Sequence, residues 1–135
     1  MKKRIQMMLV AGAVMAFATA ARALPNLVLR EMRVTTATNG VQQLWVRVSN
    51  EGNTASSNGF VTVYIDPPSD PACGNPGYGR QWLGFLRPGA NRFYLYALPA
   101  LARGEHKLWG FADSTCVVRE GRETDNKRSL ILRVP

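Results

Sequence analysis

The sequence predicts an all-β domain of the sandwich type behind a cleavable export leader. Beyond about residue 24, apolar residues recur with a period of two rather than 3.6. Strand-like runs follow one another between clusters of Gly, Pro, Asn and Asp, the spacing expected of a sandwich. No apolar helical stripe, internal repeat or low-complexity tract interrupts that pattern.

The leader comes first. Lys2, Lys3 and Arg4 form a basic start, residues 7–20 are apolar, and Ala21-Arg22-Ala23 supplies small residues at −3 and −1. Cleavage is expected after Ala23, with a second legal site at Ala18-Thr19-Ala20. The apolar stretch falls short of the ~20 residues that span a bilayer. The expected product is therefore one domain over residues 24–135, periplasmic or secreted, with no stable membrane insertion.

Seven runs follow. Asn26–Thr36 leads through Asn39-Gly40, a hairpin-turn dipeptide, into Val41–Asn50, where Leu44, Val46 and Val48 oppose Trp45 and Arg47. A turn at Asn50-Glu51-Gly52-Asn53 precedes Gly59–Asp66, in which Val61, Val63 and Ile65 form the core face and Phe60, Thr62 and Tyr64 the other. Residues 67–79, rich in Pro and Gly, predict a long loop. Arg80–Leu86, Asn91–Leu98, Glu105–Thr115 and Asn126–Val134 complete the set.

Cys73 and Cys116 are an even pair in a chain bound for an oxidising compartment, which predicts a disulfide that pins the long loop. Closing the loop of roughly forty residues between the two cysteines is worth about 4 kcal/mol in the chain-entropy account. The net charge of +8 loses Lys2, Lys3, Arg4 and Arg22 with the leader. The remaining cations are scattered among acids, so no nucleic-acid partner is expected.

Several motifs together resemble the bacterial CARDB domain, a cell-adhesion-related module. Pro25-Asn26-Leu27-Val28-Leu29 resembles its opening strand, and residues 44–52 (LWVRVSNEG) its second strand and Asn-x-Gly turn. Arg87-Pro88-Gly89-Ala90 stands at a family turn, and Asp113, Val118, Glu120, Glu123 and Asn126 resemble the closing acidic stretch. The chain departs from the family at Ser114-Thr115-Cys116, Gly121-Arg122 and Asp125-Asn126. The resemblance implies a seven-stranded immunoglobulin-like β-sandwich.

The closing acids admit two readings. Carboxylates beside a turn accept backbone N–H groups that no ladder satisfies, or Asp113, Glu120, Glu123 and Asp125 supply oxygens to Ca²⁺. Their spacing fits no loop signature, so no metal site is assigned, and no cofactor is expected. His106 is the sole histidine, and neither a nucleophile elbow nor a metalloprotease helix accompanies it. The sequence points away from catalysis.

Aromatic placement carries the functional expectation. With Leu108, Gly110 and Ala112 inward, Trp109 and Phe111 face outward beside Phe60 and Tyr64, forming one exposed patch unless the 67–79 loop covers it. Trp45, Tyr94 and Tyr96, with Arg47 and Arg92, form a second candidate set on the other sheet. The leading expectation is a noncatalytic envelope module that binds an envelope or extracellular protein through Phe60, Tyr64, Trp109 and Phe111. A glycan stacked on the same rings is the alternative, and an enzyme or inhibitor working through residues 67–79 is the third.

Overall fold

The computed structural model describes residues 23–120 and 124–135. The predicted leader, apart from Ala23, lies outside them, as do Gly121, Arg122 and Glu123. The described chain forms seven strands: β1 (Leu27–Thr36), β2 (Gln42–Asn50), β3 (Phe60–Ile65), β4 (Gly79–Trp82), β5 (Asn91–Ala97), β6 (Gly104–Ala112) and β7 (Lys127–Val134). They pair antiparallel into a three-stranded sheet, β1-β2-β5, packed on a four-stranded sheet, β4-β3-β6-β7.

Alternation decides what lies between the sheets. Leu44, Val46 and Val48 of β2 and Val61 and Val63 of β3 are fully buried, with Leu27 and Leu29 of β1 and Leu108 and Ala112 of β6 packed among them. Leu83, Leu86 and Leu98, from the connections, close the core. Fully burying one such side chain is worth about 1.5–3 kcal/mol, so this cluster supplies most of the force that holds the sheets together.

Three predicted runs end early, each for a local reason. β3 stops at Asp66 and β6 at Asp113, because both residues turn into the left-handed region, with φ of 49° and 57°. β4 covers only Gly79–Trp82. Beyond it the chain bends at Gly84 (φ 70°), and Ser56 and Leu86 form an isolated bridge.

The second aromatic set is corrected. Register places Leu95 opposite Trp45 and Phe93 opposite Arg47, so Phe93 and Leu95 share the outer face with Trp45. Trp45 meets Phe93 edge to face at 6.2 Å. Tyr94 and Tyr96 point inward and are buried, which is tolerable because their hydroxyls donate to Leu83 O and Val61 O, each at 2.6 Å. Burial, the first cause in each case, raises both phenol pKa values. The cation stacked on Trp45 is Arg33, at 5.5 Å. Arg47 instead pairs with Glu31 at 3.2 Å, and Arg92 donates to Leu83 O and Phe85 O.

The Asn50-Glu51-Gly52 turn has a full physical account. Asn50 is buried, and its Oδ1 accepts from the N–H groups of Asn26 (3.1 Å) and Gly52 (3.0 Å). Its Nδ2 donates to Thr54 O (2.8 Å) and Leu86 O (3.0 Å). A Cβ on Gly52 would stand 2.3 Å from Leu24 O, so only glycine fits there. One amide thereby ties the start of β1 to two connections. Replacing Asn50 by Leu strands three backbone groups, the N–H of Asn26 and of Gly52 and the carbonyl of Thr54, while Leu86 O keeps Ser56 N–H. It should cost about 3–5 kcal/mol in urea unfolding, against less than ~1 kcal/mol for Asn53→Ala at the exposed end of the same turn. Equal losses would contradict this account.

Candidate functional site

The face of the four-stranded sheet that turns away from the core holds all four rings expected to act. Tyr64 lies directly opposite Trp109 and Thr62 opposite Phe111, while Phe60 pairs with Trp82 of β4. The phase read from the sequence is correct, and of the two outcomes left open for the patch, the loop covers it. Tyr64 and Phe111 are only 3% and 5% exposed, and Phe60 and Trp109 are half-buried.

The cause is the segment between β3 and β4, residues 67–78, which crosses this face as a strap. The Cys73–Cys116 disulfide joins it to the turn after β6, as predicted, and Gly74 N–H donates to Ser114 O at 2.8 Å. Tyr64 Oη donates to Asn75 O at 3.0 Å, and Lys127 Nζ, stacked 5.4 Å from the Phe111 ring, donates to Pro71 O. Gly77 presses against the sheet: a Cβ there would lie 2.5 Å from both Thr62 Cγ2 and Val63 O. Burial raises the Tyr64 phenol pKa, with its bond to Thr62 working the other way.

Cations cover what the strap leaves open. Arg80 lies 4.3 Å above Phe60, and Lys107 Nζ is 5.0 Å from the Trp109 ring. Exposed apolar side chains include Tyr78 of the strap, Val117, Ile131 and a set on two edge strands. Trp82 (52%) and Phe85 (55%) belong to β4 and the chain after it, and Phe93 (48%) and Leu95 (39%) to β5. These two edge strands lie side by side, since Gln81 Nε2 donates to Leu95 O at 2.7 Å and Tyr78 Oη to Ala97 O at 2.8 Å. Residues 71–104 contain four arginines and no acid, a signal visible in the sequence that marks this edge as cationic and aromatic.

The closing acids serve the backbone. Asp113 accepts from the N–H groups of Val117 and Val118, at 3.1 and 3.0 Å. Glu120 accepts from Leu27 N–H at 2.8 Å and from the Asn126 amide at 2.6 Å, tying β1 to the entry of β7. Asp125 Oδ2 takes a long 3.4 Å contact from Asn26. Among the described residues no three His, Cys, Asp or Glu side chains gather into a metal-binding group. Glu123 lies outside them.

The sole histidine closes the far end of the same sheet. His106 Nδ1 is 2.6 Å from Asp66 Oδ2 and Nε2 is 2.7 Å from Ala102 O, so two acceptors face the ring. The Asp66 hydrogen bond, then the Ala102 carbonyl, raise the His106 pKa above 6.5, and the imidazole lowers that of Asp66 below 3.8.

This geometry defines a class: a two-sheet, seven-stranded β-sandwich module of the immunoglobulin kind, with a strapped outer face. The CARDB family model matches residues 24–130, and the chain belongs to the CARDB family. Among solved structures, the chain is similar to the CARDB domain of a Pyrococcus furiosus protein crystallised in complex with di-metal ions. The TM-score is 0.67 at 18% identity, covering 82% of this chain and 94% of that one. A Methanosarcina acetivorans domain, residues 272–376 of its protein, superposes with a TM-score of 0.64 at 21% identity, covering 83% of this chain and 93% of that one. No curated protein matches the chain. At these identities the likeness establishes the fold.

The His106–Asp66 pair gives a pH prediction. A raised His pKa contributes stability that is complete below about 6.5 and lost as pH rises through the folded value. A lowered Asp pKa contributes stability present above about 3.8 and lost as pH falls through its own folded value. The melting temperature should therefore fall more steeply between pH 6 and 9 in the wild type than in His106→Gln. Superimposable profiles would contradict the pairing.

Proposed function

We propose that this chain is a noncatalytic binding module of the bacterial cell envelope, acting in the periplasm or outside the cell by contact with another protein. The observation that carries the reading is the exposure of Trp82 and Phe85, of β4 and the chain after it, and of Phe93 and Leu95 on the neighbouring edge strand β5, in a stretch that also holds Arg87 and Arg92. Exposed apolar side chains on neighbouring edge strands favour an interface, and aromatic and arginine side chains are the types enriched there. An acid-free edge selects a partner surface bearing carboxylates, which raises the rate of encounter and sets orientation. The disulfide supports an oxidising location.

The contact surface in this proposal differs from the four rings named by sequence, because the strap covers Tyr64 and Phe111. Phe60 keeps a part through its edge-to-face contact with Trp82 at 5.2 Å, and Trp109 lies on the far side of the strapped face. A photo-crosslinking residue placed at 85 or 93 in the exported protein should capture one and the same envelope protein, with yield falling at least tenfold when Arg87 and Arg92 are both changed to Gln. The same probe at 131, on the opposite edge, should capture none. Equal capture from all three positions, or none from 85 and 93, would contradict the reading.

A further inference from the structure

Beside the strap lies a cleft of about 370 Å³, lined by residues 74–80, Thr62, Ser114 and Thr115. That volume falls within the ~300–1,000 Å³ range of small-molecule sites. We propose that this cleft is a ligand site for an acidic sugar, a glycan unit carrying a carboxylate, separate from the protein-binding edge.

Four observations specify that chemistry. Arg80 is the one charged residue lining the cleft, and its guanidinium carbon lies 4.3 Å from the Phe60 ring centroid with no ion-pair partner among the described residues. Stacking uses the face of the guanidinium and leaves its N–H edge free, the fork that binds a carboxylate through two hydrogen bonds. Tyr78 is about half exposed, and its hydroxyl is committed to Ala97 O at 2.8 Å. A phenol so committed fixes the ring and leaves its face as the available surface, which suits the apolar side of a pyranose.

The remaining polar groups match hydroxyls. Asn75 Oδ1 accepts from Ala72 N–H at 2.8 Å, which orients the amide and leaves its NH₂ donors without a partner among the described residues. The Thr115 side chain stands on the opposite wall, half-buried. At the floor, Thr62 Oγ1 and Ser114 Oγ share a buried 2.6 Å bond that fixes both hydroxyls.

The site is built before a ligand arrives. Both walls are joined covalently by Cys73–Cys116, the Gly74 and Tyr78 amides donate to Ser114 O and Val63 O, each at 2.8 Å, and Gly77 sits where no Cβ fits. Binding to such walls forfeits little ordering entropy, the condition under which a shallow site holds a small polar ligand.

The test uses the oxidised exported protein and two-dimensional amide NMR. Trigalacturonate is the probe, with its methyl ester and glutarate as comparisons. Saturable shifts should be confined to the amides of Gly74, Asn75, Gly77, Tyr78, Gly79, Arg80 and Thr115. The ester should bind at least tenfold more weakly, and glutarate, which lacks the ring, at least tenfold more weakly as well. Arg80→Gln and Tyr78→Leu, each giving an otherwise unchanged spectrum, should weaken trigalacturonate binding about tenfold. Absence of binding at millimolar trigalacturonate, equal binding of the ester, equal binding of glutarate, or an unaffected Arg80→Gln variant would each overturn the proposal. None of these outcomes bears on capture by the edge at Phe85 and Phe93.

Discussion

The covalent tie between Cys73 and Cys116 decides which surfaces this sandwich presents. Residues 67–78 contain four prolines and two glycines, a composition that forms no ladder and has little apolar content with which to hold itself down. Left free, such a segment would stand away from the sheet, and Tyr64 and Phe111 would face water. Fixed at Cys73, it lies across them, and the hydrogen bonds of Gly74 and Tyr64 and the close approach of Gly77 all follow from that placement. The strap converts the outer aromatic face of the four-stranded sheet into a second, smaller core. It also leaves a cleft along its margin.

Buried polar side chains do a comparable service for other segments of the chain. Asn50, Asp113 and Glu120 are each buried; Asn50 and Asp113 receive backbone N–H groups from connections, and Glu120 receives the N–H of Leu27, the first residue of β1. The acids that resemble a family motif are accounted for by this role, since a buried N–H left unpaired costs more than the bond itself contributes. The reading of these carboxylates as backbone acceptors therefore has direct geometric support at Asp113 and Glu120.

What was legible in the sequence is what short-range pattern controls. The period-two alternation of Val61, Val63 and Ile65 and of Leu44, Val46 and Val48 gave the correct faces, because one wrong step would invert every side chain. Asn39-Gly40 gave the first hairpin. The inward turn of Tyr94 and Tyr96 was not legible, because both faces of that run are aromatic or aliphatic and only the carbonyls of Leu83 and Val61, far away in sequence, accommodate the hydroxyls. Exposure of the four rings was equally hidden. It depends on the path of the strap, which is set by a disulfide and by contacts across the sheet. The acid-free stretch from residue 71 to 104 was the readable sign of the cationic edge. Its meaning required knowing that β4 and β5 are neighbouring edges of two different sheets.

The most direct check on the strapped face is amide hydrogen exchange at Gly74 and Tyr78, whose N–H groups bond Ser114 O and Val63 O. In the oxidised protein both amides should be protected. After reduction of the Cys73–Cys116 bond they should exchange freely while Val46 and Val48, in the core of β2, stay protected. Rapid exchange at Gly74 and Tyr78 with the disulfide intact would contradict the account, because the strap would then not be seated on the sheet.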